Sequence, residues 1–455
     1  MPRMLAPTRL DIATLDLLPE AAVPPPATER PVRWSLATRL AFRFCGLYFA
    51  LYVLTTQMLG GLLILPAGSL PNIGATGYLK GLVTWTANTV FRVSHPYVTV
   101  NTGSGDKTID WVQAFCLLAL AAAATAVWSA LDRRRPNYAA LHKWTHLFVR
   151  FALGSTMVGY GVVKVIPLQM PAPSLQRLLE PFGHFSPMGV LWYSIGASRA
   201  YEIFCGFVEL TCGVLLFIPH LSIVGALLTV ATGIQIFTLN MTYDVPVKLF
   251  SFHIILMALF LLAPEARRLM RVLVLNRAAA PSTQPPLFRR PRARRIAIAV
   301  QLVFGAYIVG MNLYSARQSW MRFGGGAPKS PLYGAWNVAY MSIDGVERAP
   351  LVTDYDRFRR VVFDTPARMA FQRMDDTFTY GSTWNVDGMQ LTLSKPASDV
   401  WSATLTFERP ADDRLTLSGE IDGRKLEMRL ELFPREKFLL VSRGFNWVQE
   451  YPFNR

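Results

Sequence analysis

Seven stretches of the chain read as almost unbroken apolar runs: residues 42–65, 109–131, 144–166, 200–218, 221–239, 247–263 and 296–315. Each is close to the ~20 apolar residues a helix needs to cross a bilayer core. From about residue 331 the pattern changes period. Runs such as 389–394, 401–407, 414–419 and 425–432 alternate polar and apolar residues, the mark of strands with one buried face. The pairs Asp344-Gly345, Asp387-Gly388 and Asp422-Gly423 punctuate this region and predict antiparallel hairpins. About eight strands in roughly 120 residues suit a small barrel or sandwich. The expected fold class is a polytopic α-helical membrane protein of about seven spans with a C-terminal antiparallel β-barrel or β-sandwich domain.

Composition agrees. The 455 residues are 52% hydrophobic and only 17% charged, too apolar for an ordinary soluble chain. The net charge of +16 is uneven: from Arg317 onward, 19 Lys/Arg face 18 Asp/Glu. The excess therefore belongs to the membrane part, which argues against a nucleic-acid partner. Basic residues cluster before the first apolar stretch (Arg33, Arg39), between the second and third (Arg133 to Arg135, Lys143) and between the sixth and seventh (Arg267 through Arg295). By the positive-inside rule these are cytoplasmic loops. The N-terminus is then cytoplasmic, and the C-terminal domain periplasmic, in the inner membrane of a bacterium. Residues 1–33 carry Pro24-Pro-Pro26 and mixed charge without a cleavable apolar core. They read as a disordered cytoplasmic tail and not a signal peptide. The helical domain is expected over 34–315, a linker over 316–330 and the β domain over 331–455.

Chemistry is sought in the ionisable groups of the apolar stretches, because a charge inside a bilayer is costly and marks a functional site by default. Lys164 closes the third stretch in the run Gly154-Ser-Thr-Met-Val-Gly-Tyr-Gly-Val-Val-Lys164. Glu202 and Glu209 lie seven apart, on one face of the fourth helix. Asp244 and Lys248 open the sixth stretch, which also holds His253. The alternating topology puts all of these in the outer half of the membrane, beneath the β domain. Lys164 is the expected proton acceptor, with Glu209 and His253 as partners. Tyr160, Glu202, Asp244 and Lys248 are the expected binding residues. The plainer reading is that Lys164 and Lys248 snorkel to the interface. His146 and Arg150 suit lipid-headgroup or loop contacts near the inner surface, and Trp447, Tyr451 and Phe453 suit capping of the barrel floor or docking on the membrane part. The four cysteines form no CxxC pair, and no metal-ligand motif, nucleotide loop or nucleophile elbow is present.

Residues 144–270 resemble the DoxX-type membrane proteins. The resemblance rests on Gly161-Val-Val-Lys164, on the glutamate-bearing run from Glu202 to Leu216, and on Tyr243-Asp-Val-Pro-Val-Lys-Leu249 with Ser251 and His253. It implies a four-helix membrane unit linked to redox partners and quinones. More remotely, Tyr160-Gly-Val-Val-Lys164 is similar to the lysine-bearing helix of the vitamin K-dependent carboxylase group, where the lysine deprotonates a hydroquinone. The resulting expectation is a lipid-embedded, oxidoreductase-associated protein that binds a quinone and works with a redox partner. The alternative is a non-enzymatic envelope assembly factor whose β domain binds a protein or lipid.

Overall fold

The computed structural model describes residues 33–454 apart from 66–67, 70–76, 283, 366–367, 383–385, 388–389 and 396–397. Among them are seven helices long and apolar enough to cross a membrane: α1 (Leu36–Thr55), α2 (Thr108–Leu131), α3 (Ala139–Val165), α4 (Arg199–Phe217), α5 (Ser222–Thr242), α6 (Lys248–Leu262) and α7 (Pro291–Phe323). All seven expected stretches are largely helical, with shifted ends, and the first is broken at Thr56 and ends in a two-residue strand, Ile64–Leu65. Helix α1 begins six residues before the apolar run, because the Ser35 hydroxyl accepts from Thr38 N at 3.1 Å and caps it. It stops at Thr56, whose backbone is extended, and a short helix, Gln57–Leu62, follows. Helix α6 continues past Leu262 through irregular turns to Val274. Helix α7 runs on to Phe323, so the first half of the expected 316–330 linker is helical. The break comes at Gly324 instead. The expected N-terminal tail lies outside the described residues, apart from Arg33.

The third helix organises the bundle. It packs on α1, α4, α6 and α7, while α5 closes against α4 and α6. Its contact with α4 is the tightest. Gly154 and Gly161 on α3 face Gly213 and Gly206 on α4. A methyl placed on Gly161 would lie 2.5 Å from Leu210 N, and one on Gly206 would lie 2.5 Å from Val165 N. Small residues at this spacing let two helices approach in lipid, where packing must replace the hydrophobic effect.

Among the described residues the C-terminal sheet has ten strands, two of them only two residues long (Val346–Glu347 and Val386–Asp387); the other eight are β1 (Gly334–Ile343), β2 (Phe358–Thr365), β3 (Arg368–Arg373), β4 (Phe378–Ser382), β5 (Gln390–Lys395), β6 (Ser398–Ala411), β7 (Arg414–Ile421) and β8 (Arg424–Phe433). Each pairs antiparallel with the next, and β8 pairs with β1, so the sheet curls back on itself. Among the described residues, β4 joins β5 through the pair Ser382 and Ser394. Of the two expected forms this is the barrel. Its interior holds Trp336, Met341, Phe363, Phe371, Leu405, Leu417 and Met428, packed into one core, as small barrels fill with side chains. Both residues of Asp344-Gly345 and of Asp422-Gly423 take positive φ, the backbone of a tight hairpin turn. Gly388 lies outside the described residues.

The two parts touch where the α3–α4 connection leaves the bundle. Leu175, in the short helix Leu175–Leu179, buries itself against Ala335, Val362 and Ala370 of the barrel wall. The β domain therefore sits at the Lys164 end of α3.

Candidate functional site

Lys164 is buried, 6% exposed, and so is Glu209, at 3%. The lysine Nζ donates to both carboxylate oxygens of Glu209, at 2.7 and 2.6 Å. Local structure explains the meeting. Lys164 follows Gly161 by three residues and Glu209 follows Gly206 by three, so both stand one turn from the tightest point of the crossing. Helical side chains lean toward their own N-terminus. On antiparallel helices the two chains therefore lean toward each other. The Lys164 Cβ packs against Gly206, with no room for a side chain there. The pair is a built feature of the α3–α4 contact, and the snorkelling reading of Lys164 fails.

Around this pair the expected residues divide. Tyr160 is nearby, with the Lys164 Nζ 5.6 Å from its ring centroid and Gln57 Nε2 donating to its hydroxyl at 3.4 Å. Glu202 is buried, but its carboxylate is used by the backbone: it accepts from Met170 N at 3.0 Å and pins the strand of chain leaving α3. Asp244 and Lys248 do not join the pair. They bond to each other at 2.9 Å across the bend at Pro246, with Asp244 at positive φ.

His253 is buried in a separate chain of contacts. Its Nδ1 lies 2.7 Å from Leu249 O and its Nε2 lies 2.6 Å from the Tyr48 hydroxyl. A carbonyl only accepts, so Nδ1 carries a proton, and in the neutral ring Nε2 accepts from Tyr48. Tyr52 stacks flat on the ring at 3.9 Å. Both nitrogens are engaged, so the expected contact of His253 with Lys164 is replaced by one with Tyr48.

Several groups escaped sequence reasoning. Asp106, in the loop before α2, accepts from Lys248 N at 2.7 Å and Leu249 N at 2.9 Å, capping α6 from outside. Only the turn-rich run Asn101 to Lys107 hinted at it. Arg43, inside the first apolar stretch, is buried and donates to Tyr138, Ser129 and the Asp132 carbonyl. At the chain end, Phe445, Trp447, Val448 and Tyr451 are exposed, Trp447 at 92%. They neither cap the barrel floor nor dock on the bundle. Among the described residues no group of three or more His, Cys, Asp or Glu is arranged to hold a metal ion.

Fold and site together define a multi-pass membrane protein whose two central helices are joined by a buried lysine–glutamate pair beneath a small β-barrel. No protein-family model and no solved structure matches the chain. It is 32% identical over 132 residues to the uncharacterized protein YwoB of Bacillus subtilis, a match that covers 27% of this chain and 78% of that protein. The chain belongs to the family of that protein.

Proposed function

We propose that the chain is a DoxX-type protein of the bacterial inner membrane that binds a quinone-like molecule beside the Lys164–Glu209 pair and exchanges electrons through it with a redox partner. The carrying observation is the pair itself. Two charges held in lipid at a helix crossing are expensive, and a hydrophobic crossing would serve packing better. The aromatic ring of Tyr160, beside the lysine, suits a ring-shaped ligand on this side of the bundle. The chemistry follows from one internal proton transfer. When the Lys164 ammonium passes a proton to the Glu209 carboxylate, a neutral amine is left. That amine can take the proton of a hydroquinone hydroxyl as a general base. A hydroquinone held there would supply the partner with two electrons and give up two protons in all, which the Lys164–Glu209 pair would take in turn and release toward the β-domain side. The basic loops support an orientation with the N-terminus in the cytoplasm and the barrel in the periplasm. Protein purified in mild detergent and extracted for mass spectrometry should carry a quinone at near-stoichiometric amount, and Lys164→Met protein should not. Equal recovery from both, or from neither, contradicts the proposal.

A second reading has one observation in its favour. The exposed aromatic chain end suits docking to an envelope protein or lipid, as an assembly factor would need. A function that survives Lys164→Met but fails when residues 443–455 are removed would favour it.

A further inference from the structure

At the end of the bundle remote from the barrel, α3, α6 and α7 enclose a cavity of about 540 Å³. The size is ordinary for a ligand site. Its charge is not. Lys143, Arg150, Arg268 and Arg294 line it, against one carboxylate, Glu265. That carboxylate is already committed, since it accepts from Ser282 and from Arg268, the latter at 3.3 Å. Arg150 is the deepest of the cations. Its side chain is more than nine-tenths buried. It donates to Gln301 through one Nη, yet its Nε has no partner. No ion pair with a carboxylate is formed by Arg150 among the described residues. A buried guanidinium without a counter-charge is unfavourable in a low-dielectric site, and an anion removes that penalty. Lys143 reaches across the mouth to the carbonyls of Pro286 and Leu287, at 3.2 and 3.4 Å, and keeps one ammonium proton for another acceptor.

We propose that this cavity binds a phosphate group, with Arg150 as its buried anchor and Arg294 and Arg268 at the rim. Guanidinium forks match phosphate oxygens, and basic pockets between membrane helices take lipid headgroups. The phosphate can come from an anionic phospholipid or from a small soluble phosphate. The site is separate from the Lys164–Glu209 pair, at the opposite end of α3, and does not depend on what that pair does.

The test uses the full-length protein in neutral detergent. One arm adds phosphatidylglycerol, with phosphatidylcholine as the uncharged control. The other adds inorganic phosphate against chloride at equal ionic strength. Thermal stability and native mass spectrometry report binding. Stabilisation by phosphatidylglycerol alone assigns a lipid, and stabilisation by inorganic phosphate assigns a soluble ligand. Arg150→Met should weaken binding by at least about tenfold, the worth of one charge-assisted hydrogen bond. If that variant does not fold, Arg294→Gln, at an exposed rim position, should show a loss in the same direction. No response to either probe, or an equal response to phosphatidylcholine, overturns the proposal. So does binding that is unchanged in the folded variants.

Discussion

Replacing Lys164 by Met should destabilise the protein by about 3–5 kcal/mol, because the Glu209 carboxylate is left buried without a partner. The magnitude follows from the geometry. Both side chains are nearly inaccessible, and two hydrogen bonds of 2.6–2.7 Å join them. At an effective dielectric constant near 20, charges at that distance attract by about 6 kcal/mol. Removing two ions from water costs several kcal/mol each. The intact pair is therefore close to neutral for stability, whereas half of it is a liability. Glu209→Gln should cost a similar amount, since it strands the ammonium. The double variant should recover much of the loss, giving a coupling energy of at least about 1–3 kcal/mol. Met is a fair probe because it fills the space over Gly206 that the lysine stem fills now. Unfolding of the wild type, both single variants and the double variant in one detergent measures the cycle. A Lys164→Met protein as stable as the wild type, or losses that simply add, would refute the reasoning.

Three further expectations follow. Gly161→Ala should cost about 1–3 kcal/mol by overpacking and loosen the ion pair, whereas Gly310→Ala, with open space around it, should be neutral or stabilising; equal effects in a thermal melt would contradict the close α3–α4 approach. In the barrel, the hydrogen bond from Arg348 holds the Asp354 carboxyl below its ordinary range, and Arg424 does the same for Asp356. A depressed carboxylate stabilises the fold above its unfolded value of about 4 and loses that contribution as pH falls further. Barrel stability, followed by circular dichroism, should therefore drop below about pH 4, and less steeply in Arg348→Ala. Alkaline phosphatase joined after Arg455 should be active and a fusion at Arg277 inactive; the reverse would invert the proposed orientation.

The helices were legible because lipid imposes one rule, long apolar runs, which packing details hardly disturb. Their ends were not, since α1 is set by a Ser35 cap and α7 by the glycines at 324–326. The pairing of Lys164 with Glu209 could be anticipated from depth alone, because the two helices run in opposite directions and both residues sit in apolar surroundings. The place of His253 could not. Its partner Tyr48 lies 205 positions away on α1, and nothing local distinguishes a stacked, saturated histidine from a free one. Asp106 was hidden for the same reason, a loop carboxylate serving a helix more than a hundred residues later. The barrel strands announced themselves by alternation, and two of the three turn pairs take the backbone expected of them. Exposure of the aromatic chain end was invisible, because a Trp or Tyr reads the same whether it fills a core or waits for a partner.

The central claim is that the Lys164–Glu209 pair is a ligand site and more than a structural staple. Titration of a short-chain, water-soluble quinone into the full-length protein, read as quenching of intrinsic fluorescence, tests it most directly. Lys164→Met should weaken binding by about tenfold or more, the loss of one charged contact. Lys248→Met, which removes the separate pair with Asp244, should leave the isotherm unchanged. Identical isotherms for the wild type and a folded Lys164→Met protein would contradict the account.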